Sequence, residues 1–191
     1  VSTQDAALIH LIKNVIKLAI GEQCILFFDT SDDYLCTISN IERTSVTFSI
    51  NAILPKKKIP RHITACISSI KRDNFELAVQ KLTELGVQKI IPIISERTIK
   101  QTLRIDRLQK ISDEALEQSG GSTRVSITEP HSLTDALSSQ KNTTSYYFDM
   151  GGAPLVHTEH TDITIYIGPE GGWSEGDIAL FKEHNMTAYT L

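Results

Sequence analysis

The residues best suited to bind a ligand lie together late in the chain, in Ile167-Gly168-Pro169-Glu170-Gly171-Gly172-Trp173-Ser174. The apolar run 163–167 leads directly into them, so a strand enters a glycine-rich loop. Gly168, Gly171 and Gly172 can adopt positive φ and expose bare main chain to a ligand, while Pro169 fixes one turn dihedral between them. Ser174 and Asp177 stand at capping-box spacing, so a helix begins just past the loop and presents unpaired N–H groups near it. The loop has neither the Gly-Lys-Ser/Thr of a Walker A segment nor G-x-G-x-x-G spacing, so neither triphosphate nor dinucleotide binding is supported. On these residues alone, a strand-to-helix turn that binds nothing is an equally good reading.

Other chemistry-bearing residues are less concentrated. His10, His62, His131, His157, His160 and His184 show no ligand spacing, and no metal site is expected. Cys24, Cys36 and Cys66 are odd in number and lack C-x-x-C spacing, which suggests a reducing, cytoplasmic setting. Lys13, Lys17, Lys56, Lys57, Lys58, Arg61, Lys71 and Arg72 are candidates for phosphate contacts, with a solvated charged face as the plain alternative. Glu96 and Arg97 follow an apolar strand at the edge where α/β sheets place ligands. A total of 19 Lys+Arg against 23 Asp+Glu argues against a uniformly basic nucleic-acid binder.

These residues need a scaffold, and 191 residues at 40% hydrophobic and 22% charged suffice for a packed core without disulfide or metal staples. The longest uninterrupted apolar run, residues 24–28, is far too short to span a bilayer. The chain opens on Val1 without a signal-like core, and a trimmed start is expected. Residues 10–18 read as a short helix stopped by Gly21. Runs 24–28, 34–39 and 45–50 read as a small antiparallel meander. Two prolines flank three like charges in Pro55-Lys56-Lys57-Lys58-Ile59-Pro60, which suits an exposed connector, so the domains are expected at 1–55 and 61–191.

Beyond Pro60 the rhythm alternates strand and amphipathic helix, the pattern of a parallel sheet covered by helices. Strands are expected at 63–70, 87–94, 124–128, 145–148 and 163–167. Helices are expected at 73–85, 105–119 and 132–139, the first ended by Gly86 and the second by Gly120-Gly121. Ile70, Leu77 and Trp173 suit either a core or a dimer contact.

Four blocks in order carry a resemblance: Lys81-Leu82-Thr83-Glu84-Leu85-Gly86-Val87, Ser95-Glu96-Arg97-Thr98, Glu114-Ala115-Leu116-Glu117-Gln118-Ser119-Gly120, and the segment from Ile167 to Ser174. Together with residues 10–21 they closely resemble the 16S ribosomal RNA uridine-N3 methyltransferases of the SPOUT class. The resemblance implies an α/β fold: an N-terminal PUA-like β-barrel that binds RNA, a C-terminal trefoil-knot domain, S-adenosylmethionine as cofactor and a homodimer. It implies cofactor contacts from Gly168, Pro169, Glu170, Gly171, Gly172, Phe148, Asp149 and Leu191. RNA contacts are expected from Lys13, Lys17, Arg61, Arg72, Arg97 and Arg124, with 16S RNA or the small ribosomal subunit as partner.

The chain departs from that pattern in three places. It stops at Leu191, where the family continues into a knot-closing segment, so that segment is expected to be absent here. Gly121 stands after Gly120 where an arginine is common, and Lys17 replaces an arginine, losing its bidentate fork. N3 methylation is a single displacement, so positioning and removal of the N3 proton carry the acceleration. Glu170 can in principle take that proton, but a structural role ranks higher, and no catalytic base is assigned. Two rival readings are a non-catalytic RNA-binding protein and an α/β enzyme holding a phosphate ligand in the glycine loop.

Overall fold

Helix formation begins earlier than the apolar spacing suggests, because Asp5 caps it. Its Oδ1 accepts from the amides of Ala7 at 2.8 Å and Leu8 at 3.0 Å, satisfying two of the free N–H groups at the helix start. Helix α1 (Ala6–His10) continues as a π-type turn through Leu11–Ile16. Lys17, left-handed at φ 60°, ends this run, rather than Gly21. The computed structural model describes residues 1–27, 32–55, 61–99, 101–121, 123–140, 143–156 and 159–190. The lysine-rich connector 56–58, Pro60 and Leu191 lie outside them.

Two compact units make up the chain, Val1–Lys58 and Ile59–Leu191. In the first, β1 (Ser2–Thr3), β2 (Gln23–Leu26), β3 (Asp33–Ile41) and β4 (Val46–Leu54) pair antiparallel in the order β1-β4-β3-β2. The expected meander β2-β3-β4 is present, and β1 adds an edge. In place of the expected barrel, the sheet is open among the described residues, since β1 and β2 do not pair with each other. Alternation along β3 puts Cys36 and Ile38 on one face, where they pack with Val46, Phe48, Ile9 and Ile12.

The second unit is a three-layer α/β structure. Among the described residues its seven strands are parallel: β5 (His62–Ser68), β6 (Lys89–Ile94), β7 (Ser126–Ile127), β8 (His131–Ser132), β9 (Thr144–Pro154), β10 (Asp162–Ile167) and β11 (Thr187–Thr190). Their order is β11-β9-β10-β5-β6-β7, with β8 also on β6. Helices α2 (Arg72–Glu84) and α3 (Ile105–Ser119) cover one face, burying Phe75, Val79 and Leu108 against Ala65, Ile67 and Ile90. Helices α4 (Leu133–Ser139) and α5 (Glu175–Glu183) cover the other, where Leu137 and Phe181 meet Cys66, Ile91 and Tyr166. Burying each large apolar side chain stabilises the unit by about 2 kcal/mol relative to exposure.

Ala65 and Ile67 thus face one layer and Cys66 the other, and strands buried on both faces explain the nearly continuous apolar runs in the sequence. Strand β9 runs longer than expected, and its register with β11 shifts part-way along it. Ala188 of β11 pairs with Tyr147, yet the next residue, Tyr189, pairs with Ala153, so residues 148–152 leave that ladder. A Cβ on Gly152 would lie 2.7 Å from both the nitrogen and Cα of Tyr189, so only glycine fits where the two strands rejoin.

Candidate functional site

All strands of the second unit run the same way, so the connections leaving β6, β9 and β10 emerge at one edge of the sheet. Three observed contacts tie them together. Trp173, 4% exposed, donates from Nε1 to the carbonyl oxygen of Phe148 at 2.9 Å, fixing the loop after β10 to the end of the first half of β9. Arg97, in the turn after β6, donates from its guanidinium to the carbonyl oxygen of Gly171 at 3.0 Å. The amide of Glu96 donates to Asp177 Oδ1 at 3.4 Å, a long bond.

Local chemistry shapes the loop itself. The amide of Gly172 donates to the Pro169 carbonyl at 2.9 Å, closing a tight turn. Of the three glycines expected to use positive φ, Gly172 alone does so, at 68°. Gly168 is needed for space, because a Cβ there would stand 3.0 Å from the Trp173 ring. At Gly171 a Cβ would meet only Arg97 Cδ, at 3.9 Å. The capping box forms as the sequence indicates: Ser174 Oγ accepts from the Asp177 amide at 3.0 Å, and Asp177 Oδ2 accepts from the Ser174 amide at 3.0 Å. Asp177, only 5% exposed, has both carboxyl oxygens engaged in hydrogen bonds.

The main-chain amides of Glu170 and Gly171 have no acceptor among the described residues. At the same sheet edge as the excursion at 148–152, these amides are main-chain donors of the kind that recognise a ligand without charge. Beneath the loop the packing is aromatic: Phe181 stacks on Tyr147 with centroids 4.3 Å apart and meets Trp173 edge-on at 4.8 Å. Burial, with the nearby Asp149 charge, raises the Tyr147 phenol above its ordinary range. Burial likewise pushes the Cys66 thiol up to about 12 and raises its neighbour Tyr166, so these groups are protonated, neutral core residues. No group of three metal-ligating side chains occurs among the described residues.

The structure brings Gly168, Pro169, Gly171, Gly172 and Phe148 together, places Asp149 in the adjoining excursion and leaves Glu170 exposed. Among the expected RNA-binding residues, Arg97 is turned onto the glycine loop. Arg124 is held by Asp113 through two contacts of 2.8 Å, and Lys13 donates to the Glu42 carbonyl at 3.1 Å. Lys17 and Arg72 are exposed, and Arg61 is partly buried with its own partner. Sequence reasoning leaves Trp173 undecided and misses the excursion in β9. Its signal is the pair Gly151-Gly152 inside an otherwise β-rich run.

Fold and site define an α/β protein whose second unit carries a parallel sheet with a glycine-rich loop, held by Trp173 and Arg97, at the carboxyl edge of its strands. Residues 57–191 match the RNA methyltransferase domain family, and the chain belongs to that family. It is 30% identical over 190 residues to ribosomal RNA small subunit methyltransferase E 2 of Borreliella burgdorferi, covering 94% of this chain and 78% of that protein. The Rickettsia conorii ribosomal RNA small subunit methyltransferase E is 28% identical over 185 residues, covering 94% and 76%. A crystal structure of the Neisseria gonorrhoeae ribosomal RNA small subunit methyltransferase E bound to S-adenosylmethionine superposes with a TM-score of 0.86 at 27% identity, covering 100% of this chain and 82% of that one.

Proposed function

We propose that this chain is an S-adenosylmethionine-dependent methyltransferase that methylates N3 of a uridine in 16S ribosomal RNA of the small subunit. The observation that carries the reading is the junction at the carboxyl edge, where Trp173 and Arg97 hold a glycine loop whose amides at 170 and 171 are unused. That donor set fits an adenosine, whose ring nitrogens are acceptors, and Gly168 and Gly172 keep the surface free of side chains. The ligand named for the Neisseria relative supports the same cofactor. When bound, the cofactor supplies an electrophilic methyl group on a sulfonium.

This chain's residues have the task of alignment. Holding the acceptor nitrogen in line with the methyl group replaces a bimolecular encounter with an oriented one, the main source of acceleration for a reaction that needs no covalent help. Removal of the N3 proton contributes less. Residues 168–172, Phe148, Asp149 and Leu191 form the cofactor site in this reading. The first unit acts as a PUA-like RNA-binding domain, residues 61–191 as a trefoil-knot SPOUT domain, and two copies pair in the cytoplasm.

Titration calorimetry of the full-length protein tests the cofactor: S-adenosylmethionine and S-adenosylhomocysteine bind, ATP does not. Incubation with small-subunit RNA lacking the modification, followed by nucleoside mass spectrometry, is expected to yield 3-methyluridine. Binding of ATP in preference to S-adenosylmethionine would refute the cofactor, and a different methylated nucleoside would refute the target atom.

A further inference from the structure

From the groove beside the glycine loop we infer the seat of the target nucleoside, an inference that rests on the RNA methyltransferase reading above. The groove, of about 410 Å³, lies past the ends of β5 and β6 and is walled by Ile94, Ile99, Leu103 and Pro130. That volume falls within the range of small-ligand sites and accommodates one nucleoside. Ile94 is 51% and Ile99 42% exposed, so two large apolar side chains face solvent there. Aliphatic walls suit the flat faces of a base taken out of its stack.

The groove is built rather than loose. Its floor is fixed by Gln101, whose Nε2 donates to Ser69 Oγ at 3.1 Å and also to the Ile70 carbonyl oxygen. Both bonds come from the amide nitrogen, so Gln101 Oε1 is an oriented acceptor with no donor among the described residues. A nucleoside offers donors for it in its ribose hydroxyls. On one side Thr98 lines the groove, and its chain neighbour Arg97 bonds the Gly171 carbonyl, which sets the groove beside the proposed methyl donor.

On the other side, Thr102 and Leu103 are shared with a second cavity of about 210 Å³ lined by Arg72, Asp73, Glu76, Arg104 and Arg107, in which Arg107 is held by Glu76. Arg72 makes no hydrogen bond or ion pair among the described residues, and the Arg104–Asp106 pair is exposed on both partners. Exposed pairs of this kind are weak and exchange readily for a phosphate. An apolar slot that opens onto the exposed Arg72 and Arg104 guanidinium groups matches a base attached to a phosphate backbone, which favours a nucleotide of the RNA over an apolar peptide as the occupant.

The test combines crosslinking with two variants of the full-length protein. Small-subunit RNA carrying 4-thiouridine, irradiated with the protein, is expected to crosslink to peptides containing residues 94–103. The double variant Ile94→Ser, Ile99→Ser is expected to lose roughly tenfold or more in kcat/KM for RNA, since apolar contacts of this size discriminate by that factor. Its melting temperature and S-adenosylmethionine affinity stay at the unmodified values. Thr102→Trp, which fills the groove from an exposed position, is expected to reduce RNA methylation in the same way. Crosslinks confined to other peptides, with full methylation by both variants, would overturn the assignment. Attachment of the groove to a ribosomal protein, but not to deproteinised RNA, would overturn it too. If the unmodified protein binds the cofactor yet methylates no RNA, the reading of function fails, and the crosslink map still decides the groove.

Discussion

At the scale of single residues, the glycine loop divides its labour. Gly172 supplies the left-handed turn, Gly168 makes room for Trp173, and Gly171 contributes a carbonyl that Arg97 holds. The three cannot be ranked from the sequence, because each is equally permissive until a neighbour or a dihedral excludes a side chain. Gly172→Val is expected to destabilise the second unit by about 1–2 kcal/mol through left-handed strain, read from urea unfolding, with Gly172→Asn milder. Arg97→Ala is expected to weaken S-adenosylmethionine binding about three- to tenfold, read by calorimetry, since a single hydrogen bond is removed from an exposed donor. Arg97→Lys restores part of the affinity, because a point charge reaches the carbonyl without the planar fork.

At the scale of elements, α2 and α3 are clamped across their outer surface as well as through their core. Arg107 holds Glu76 at 2.6 and 2.8 Å, and the buried Thr83 and Ser112 hydroxyls meet at 2.9 Å. The hydrogen bond from Arg107 holds the Glu76 carboxyl below the usual carboxylate range. A depressed carboxyl stabilises the fold at pH values above its unfolded pKa, and that stabilisation is lost as pH falls through the folded value. Unfolding free energy measured from neutral pH down through the carboxylate range is therefore expected to decline more shallowly in Glu76→Gln than in the unmodified protein. Helix α3 matches its expected bounds, Ile105–Ser119, because its apolar spacing and the Gly120 turn are both local. Helix α1 does not, since an aspartate outside the apolar stripe sets its start.

At the scale of the molecule, core packing is separate in the two units: one cluster lies in the first and two flank the sheet of the second. A fragment covering residues 61–191 is accordingly expected to melt cooperatively and to bind S-adenosylmethionine, as shown by calorimetry. Loss of folding in that fragment would mean that the first unit is required. The sequence by itself determined the alternation of strand and helix, the parallel sheet and the position of the glycine loop, because periodicity and caps act over a few residues. Only the tertiary structure decided the strand order, the excursion at 148–152, the bond between Arg97 and Gly171, and the openness of the first sheet among its described residues. These depend on residues up to 100 positions apart, such as His62 and Asp162, meeting in space, and no local pattern encodes which of them meet.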